Sequence, residues 1–307
     1  MRDALVAVQA HATAADSAEC WCRAVVSVAD HDANTALFGT SSFRDAVVAV
    51  GAHATSADAC YWWCRTLGVF AAYDDNDGDD DDDDDDDSVS SANGGTVAQL
   101  FGTAAVRDAM VALTPQLTTA AACHLWCNSI INLTWSNEAT KSLFGTAAVR
   151  DALVALQLQA TTAAACEEWS NAIVNLTAYH DVNRQLFCTA EVRDALAALS
   201  TLVTTADACQ WWCKAVVHFT GDNAMAQLFS TPAMRAALVA VHPQATAAFE
   251  CYWWCRGICN LTANINVANP KLLGTAAVRD EHAALEDIAA SEAIASKWWR
   301  VAAAVLR

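Results

Sequence analysis

The sequence predicts an all-α protein built from tandem repeats, and three observations support this fold class. Hydrophobic residues make up 55% of the 307 residues, with Ala prominent among them, and Ala enters a helix without losing side-chain entropy. The chain contains only four Pro and 11 Gly. The dipeptide Arg-Asp recurs at nearly constant spacing, which is typical of a helical repeat array.

The Arg-Asp landmarks define about seven repeats, of which the first and the last are incomplete. Their arginines are Arg2, Arg44, Arg107, Arg150, Arg193 and Arg279, with Arg235-Ala236 as a variant. Successive spacings are 42, 63, 43, 43, 42 and 44 residues. A second landmark follows the Asp position by 19 residues in every repeat: Cys22, Cys64, Cys127, Ser170, Cys213, Cys255 and Trp299. One supersecondary unit that buries its apolar face on its neighbours explains both regularities.

The one long spacing contains an acidic insertion. Twelve Asp lie between Asp74 and Asp87. We predict a disordered loop over residues 74–95 within a single array spanning residues 1–307, because such a segment cannot bury enough apolar surface to fold. It is either a tolerated low-complexity expansion, since long surface loops cost little free energy, or a segment that covers cationic groove positions and competes with acidic ligands. It lacks the spaced ligands and turn Gly of a dedicated calcium loop.

Residues 136–177 illustrate the predicted layout of one repeat. A short helix from Asn137 to Phe144 ends at Gly145, for which we expect the left-handed conformation. Thr146 caps a second helix, Ala147 to Leu156, and Thr161 or Thr162 caps a third helix, Ala163 to Thr177. The order is therefore short helix, helix, long helix.

This layout resembles armadillo repeats. The period is near 42 residues, each repeat has three helices, and the third helix ends in Ile-x-Asn-Leu-Thr at residues 130–134, 173–177 and 258–262. HEAT repeats overlap in length but lack the separate short first helix. The resemblance covers nearly the whole chain except the insertion. It implies a right-handed α-solenoid whose third helices line a concave groove that holds extended peptides.

The helical period separates two faces of each third helix. With the second landmark as zero, offsets −4, −1, 0, +3 and +6 share one face, which we predict to be the core, and offsets −2, +1 and +5 lie opposite. We expect this opposite stripe to line the groove. The candidate binding residues are Arg23, Trp62, Arg65, Asn128, Asn132, Asn171, Asn175, Trp211, Lys214, His218, Trp253, Arg256 and Asn260.

The stripe suggests how a ligand is held. Trp supplies flat apolar walls, Asn can bond a peptide main chain, and Arg and Lys favour acidic or polar ligands. The alternative is that Trp62, Trp211 and Trp253 only pack against neighbouring repeats. In armadillo-type nuclear-import adaptors a groove Trp precedes the Asn by one turn. Here Asn128, Asn171 and Arg256 occupy the turn before Asn132, Asn175 and Asn260, which argues against a lysine-rich import signal.

Charge and cysteine usage restrict the class of partner. The net charge is −18, of which the Asp insertion supplies twelve, so the rest of the chain carries only −6. No basic stripe suited to a nucleic-acid backbone is visible. Neither an 18-residue apolar run nor a signal peptide is present, so we expect a cytoplasmic or nuclear protein that does not enter membranes. The 13 Cys lie in helical patterns rather than in loops, which favours reduced thiols.

Four Cys-x-x-x-Cys pairs place two thiols on one helix face, at residues 60/64, 123/127, 209/213 and 251/255. They are either core fillers, the common fate of free Cys, or metal and redox sites. We favour the core and predict no metal or cofactor. No nucleophile, base and orienting acid gather in one repeat, so we predict no enzyme. We expect the Arg-Asp pairs to form a ladder of surface charges.

The sequence therefore predicts a protein–protein interaction scaffold or adaptor that binds an extended protein or peptide segment, acidic or polar in character. A different class of function stays open, namely a structural spacer whose repeats dock end to end. We accordingly expect a monomer or weak end-to-end self-association.

Overall fold

The computed structural model describes residues 1–29, 34, 37–71, 95–135, 137–263 and 275–306. All regular secondary structure in these ranges is helical, which confirms the all-α prediction. The described residues form two compact units, Met1–Phe144 and Gly145–Arg307. The predicted loop at 74–95 lies almost entirely in residues 72–94, outside the described residues.

The N-terminal unit contains eight described helices, three of them 15 residues long. The long helices pack in chain order, α2 (Ala15–Ala29) against α4 (Ala57–Ala71) and α4 against α7 (Ala120–Thr134). The helices are α1 (Arg2–Val8), α2 (Ala15–Ala29), α3 (Ser41–Gly51), α4 (Ala57–Ala71), α5 (Gly95–Phe101), α6 (Ala104–Leu113), α7 (Ala120–Thr134) and α8 (Glu138–Phe144), with 3₁₀ turns Gln9–His11 and Thr114–Gln116.

Up to α16 (Ala248–Ala263) the C-terminal unit repeats an order of ten-residue, long and short helices, whereas its last three helices have 9, 4 and 13 residues. Its long helices pack in sequence, α10 (Ala163–Thr177) on α13 (Ala206–Thr220), α13 on α16 and α16 on α19 (Ala293–Val305). The helices are α9 (Ala147–Leu156), α10 (Ala163–Thr177), α11 (Asp181–Phe187), α12 (Ala190–Leu199), α13 (Ala206–Thr220), α14 (Asn223–Phe229), α15 (Pro232–Val241), α16 (Ala248–Ala263), α17 (Ala276–Ala284), α18 (Glu286–Ala289) and α19 (Ala293–Val305), with 3₁₀ turns Gln157–Gln159, Ser200–Leu202 and His242–Gln244.

Threonine caps begin the helices where the sequence predicts them. The Thr146 hydroxyl accepts from the Val149 amide at 3.3 Å, and Thr162 accepts from the Ala165 amide at 3.2 Å. Both helix bounds match the prediction, because a short polar side chain before an Ala-rich segment satisfies amides that the first turn leaves unpaired.

The predicted left-handed conformation of Gly145 is wrong, because its φ lies outside that range. Glycine is needed there for space instead. A Cβ at Gly145 would stand 1.9 Å from Oδ1 of Asn183, whose amide donates to the Leu176 carbonyl at 2.9 Å. A tertiary contact therefore selects glycine at this position.

The predicted core face is confirmed on α4, α7, α10, α13 and α16, where all five side chains at offsets −4, −1, 0, +3 and +6 are buried. On α13 these are Cys209, Trp212, Cys213, Val216 and Phe219. On six long helices, α2 to α16, a Trp at offset −1 also donates its indole N–H to a carbonyl of the preceding helix. These bonds are Trp21 to Leu5, Trp63 to Val47, Trp126 to Met110, Trp169 to Leu153, Trp212 to Leu196 and Trp254 to Leu238, at 2.7–3.0 Å.

The thiols of the Cys-x-x-x-Cys pairs fill the core. All eight are buried, and burial raises the pKa of neighbouring Cys22 to about 12. No three His, Cys, Asp or Glu side chains converge as metal ligands among the described residues. The eight thiols of these pairs therefore lie in the core, as free Cys commonly does.

The Arg-Asp pairs have a larger role than a surface ladder. In the five pairs from Arg2-Asp3 to Arg193-Asp194 the Asp is exposed, but the Arg side chain is at most 35% exposed. Arg150 also donates to the Leu186 carbonyl at 3.2 Å, near the C-terminus of α11. A cation there complements the helix dipole. Equivalent bonds join Arg2 to Leu37, Arg107 to Leu143 and Arg193 to Leu228. These arginines therefore connect successive repeats.

No single described helix is long and apolar enough to span a membrane. The helix α14 and the segment Pro232–Gln244 pass the length and composition test only as a pair, with a bend of 82° between them.

Candidate peptide-binding surface

The predicted stripe lies on the long helices, opposite the buried core face. We call these side chains the N-terminal stripe (Arg23, Trp62, Arg65, Asn128 and Asn132) and the C-terminal stripe (Asn171, Asn175, Trp211, Lys214, His218, Trp253, Arg256 and Asn260). Most of them are half-buried, Arg23 is exposed, and Asn175 is buried. Residues at the same helical offset thus fall on one face within each unit.

Aromatic rings and cations alternate along the C-terminal stripe. The Lys214 ammonium lies 4.6 Å from the centre of the Trp211 ring and 5.4 Å from that of Trp253. The Arg256 guanidinium lies 5.4 Å from the Trp253 ring and 5.5 Å from the Trp298 ring. These distances are within the range of cation–π attraction. Cations of one long helix therefore contact the indole of the next.

The N-terminal stripe contains a shorter version of this stack. Both Arg23 and Arg65 lie near the Trp62 ring, with guanidinium carbons 4.9 and 5.7 Å from its centre. Arg23 also pairs with the Glu19 carboxylate at 3.3 Å. The next long helix, α7, has Leu125 instead of Trp at the same offset.

Three stripe cations have no acidic partner within 4 Å among the described residues: Arg65, Lys214 and Arg256. Arg256 instead donates to the Tyr252 hydroxyl. Burial between two indoles lowers the pKa of Lys214. Half-buried cations that lack carboxylate partners attract anionic groups strongly, because solvent screens them less than exposed charges.

Several stripe amides are already engaged inside the protein. Asn132 donates to the Asn128 side chain at 3.1 Å, and Asn260 donates to the Val217 carbonyl at 3.5 Å. By contrast, three buried polar atoms of the stripe have no hydrogen-bond partner in the described part of the chain. These are Nε of Arg65, Oδ1 of Asn171 and Nε1 of Trp253. These three atoms are closed to solvent, so a ligand reaches them only if neighbouring side chains move.

Sequence reasoning missed Trp298. In the last repeat Trp299 donates its indole N–H to the carbonyl of His282, as Trp254 donates to the carbonyl of Leu238. His282 and Leu238 are equivalent, since each lies three residues after the landmark arginine of its repeat. Trp299 is therefore the counterpart of core Trp254, not of Cys255, because this repeat has one additional residue before α19. The Trp-Trp dipeptides at 62–63, 211–212, 253–254 and 298–299 carry the signal that finds it.

Comparison with protein-family models and with curated proteins found no relative.

Proposed function

We propose that this protein is a protein–protein interaction module, an armadillo-like array of about seven repeats that binds an extended, acidic segment of a partner along its long-helix stripes. The carrying observation is the set of tryptophan-stacked cations Arg65, Lys214 and Arg256, which have no acidic partner within 4 Å among the described residues. Half-buried cations that lack a carboxylate among the described residues are stabilised when a ligand supplies one.

The indoles in this proposal position the cations rather than receive ligand side chains. Lys214 lies beside both Trp211 and Trp253, so the stack already occupies part of the surface that a ligand side chain would need. Holding a cation in place before binding lowers the entropy that association costs. Carboxylates of the ligand then approach Lys214 and Arg256, which are only half-buried.

Two other functions make different predictions. A nuclear-import-type adaptor binds lysine-rich segments, which the stripe cations would repel. A structural spacer that self-associates end to end needs no stripe ligand at all, and its signature is concentration-dependent assembly that is insensitive to stripe substitutions.

The test is a peptide array probed with the full chain, followed by affinities for one captured acidic peptide and for its amide counterpart with Gln and Asn in place of Glu and Asp. We expect the amide counterpart to bind at least about tenfold more weakly, which corresponds to about 1.4 kcal/mol. Binding of the acidic peptide should also weaken as salt rises.

Variants identify the surface that is responsible. Lys214→Gln with Arg256→Gln should reduce affinity about tenfold or more. Arg184→Gln is the matched control, because this arginine pairs with Asp181 on the short helix α11, away from the stripe. Trp211→Ala and Trp253→Ala should weaken binding by releasing the cations. Equal capture of acidic, neutral and basic peptides, or unchanged affinity in the Lys214/Arg256 variant, would refute the proposal.

A further inference from the structure

Two buried histidines meet where the last repeat packs on the one before it. His282 on α17 and His242 on the 3₁₀ turn after α15 are 5% and 8% exposed. His282 occupies a position that is apolar in each of the six other repeats, at Leu5, Val47, Met110, Leu153, Leu196 and Leu238. An ionisable group thus replaces a core aliphatic side chain at one junction only.

The contacts of His282 fasten α17 to α19. Its Nε2 lies 2.9 Å from the Trp299 carbonyl oxygen, and the Trp299 indole N–H donates to the His282 carbonyl at 2.9 Å. The two rings stack with centres 4.8 Å apart at 13°. This geometry suits a neutral imidazole that donates from Nε2.

His242 faces the same junction from the other side. Its ring lies 5.4 Å from the Trp254 ring of α16, edge to face, and the Glu281 carboxylate of α17 contacts its Nδ1. Neither ring nitrogen makes a well-oriented hydrogen bond to a described residue. A proton on this ring would therefore be poorly solvated except by Glu281.

Burial disfavours protonation of both histidines more strongly than the nearby groups favour it. Burial lowers the pKa of both histidines, and the proximity of His242 lowers that of His282 further. Glu281 opposes the effect at His242. At His282 the Trp299 carbonyl opposes it first and Glu286 on α18 second. The facing helices α16 and α19 present Trp254 and Trp299 to the pair. Burial is the largest cause for both histidines, so the neutral forms are the stable ones in the fold.

We propose that His242 and His282 form a pH-sensitive contact that holds α17–α19 against α16 at neutral pH and releases this segment on mild acidification. The direction follows from linkage. An unfolded histidine titrates near ~6.5, so below that pH the released state binds more protons than the packed state. The stabilisation by this contact is complete above that pH and declines as the pH falls towards the lowered values of the folded state.

The consequence for ligands rests on the proposed function. Trp298, adjacent to Trp299 on α19, contacts Arg256 at 5.5 Å and the Tyr252 ring at 6.2 Å. Movement of α19 separates Trp298 from Arg256 and breaks the end of the C-terminal stack. Binding of an acidic segment then weakens at the pH at which the contact releases.

Amide hydrogen exchange tests the release without a ligand. Protection factors are measured between pH 7.5 and 5.5 for the full chain and for the variants His282→Leu and His242→Gln. Both substitutions introduce a residue that other repeats have at the same position. We expect the equilibrium constant for opening of α17–α19 to increase at least about tenfold in the parent. Each proton taken up on opening raises this constant by up to about tenfold per pH unit. His282→Leu should remove most of the increase, while α9–α13 should change less than about threefold.

Matched variants keep the test decisive. His282→Met, which introduces the residue that Met110 supplies at the same position of an earlier repeat, replaces His282→Leu if the latter does not fold. His53→Gln in the N-terminal unit controls for removal of a histidine elsewhere. Equal pH dependence in the parent and in the His282 variants would overturn the proposal. A parent that opens on acidification but binds no acidic peptide at pH 7.5 would leave the contact intact and refute the proposed function instead.

Discussion

The two compact units use the same helical positions for different chemistry. In the C-terminal unit the stripe forms an alternating stack, Trp211, Lys214, Trp253, Arg256 and Trp298, on three successive long helices. In the N-terminal unit the stack consists of one indole with two arginines. The next long helix there, α7, offers a pair of amides bonded to each other, Asn128 and Asn132.

The difference shows that the repeat fixes where side chains lie but not what they recognise. The core face is nearly invariant in kind, with a buried Trp and thiols on most long helices, because neighbouring repeats must close on one another. The stripe is free of that constraint, so its composition differs between the units. We therefore attribute folding to the core face of both units, and expect the longer C-terminal stack to dominate binding.

The largest expected effect is a difference in stability between substitutions on the core face and on the stripe of α13. Trp212→Ala should lower the free energy of unfolding by about 3–5 kcal/mol, because it removes a fully buried side chain and its bond to the Leu196 carbonyl. Trp211→Ala, one residue earlier, should cost about 1 kcal/mol, the scale of a partly exposed cation–π contact. Urea unfolding followed by circular dichroism measures both. Similar losses in the two variants would show that the stripe is structural.

The second effect tests the connection between repeats. Arg150→Ala should cost about 1.5–3 kcal/mol, the scale of a hydrogen bond from a charged donor, because it leaves the Leu186 carbonyl at the end of α11 without this partner. Asp151→Ala removes only the exposed half of the ion pair and should cost at most about 1 kcal/mol. Thermal or urea unfolding compares them. If the Asp variant were the more damaging, the pair would act as a surface charge ladder after all.

Local rules explain why so much of the fold could be predicted. Helices α9 and α10 begin and end where the caps Thr146 and Thr162 and the 3.6-residue period place them. The core and stripe faces follow from the same period, since it assigns each residue a direction on its helix. None of this requires knowledge of a neighbouring helix.

The features that could not be predicted depend on distances between helices. The spacing of adjacent long helices decides that Lys214 reaches Trp253, and the sequence does not contain that distance. Trp298 was missed because one additional residue shifts the last repeat against a fixed count. The role of Gly145 was misjudged because the reason for glycine lies 38 residues away, at Asn183.

The smallest expected effect compares one glycine position in the two units. Gly145→Ala places a Cβ 1.9 Å from Oδ1 of Asn183, a 1% exposed side chain bonded to the Leu176 carbonyl. Gly102→Ala in the N-terminal unit places its Cβ 2.7 Å from Oγ1 of Thr140. We expect Gly145→Ala to lower the free energy of unfolding by about 1–2 kcal/mol, because a buried amide must give up a hydrogen bond. Gly102→Ala should lower it by less, because a small hydroxyl side chain shifts with less disruption. Equal losses measured by urea unfolding would mean that Asn183 finds another partner as easily as Thr140 moves aside.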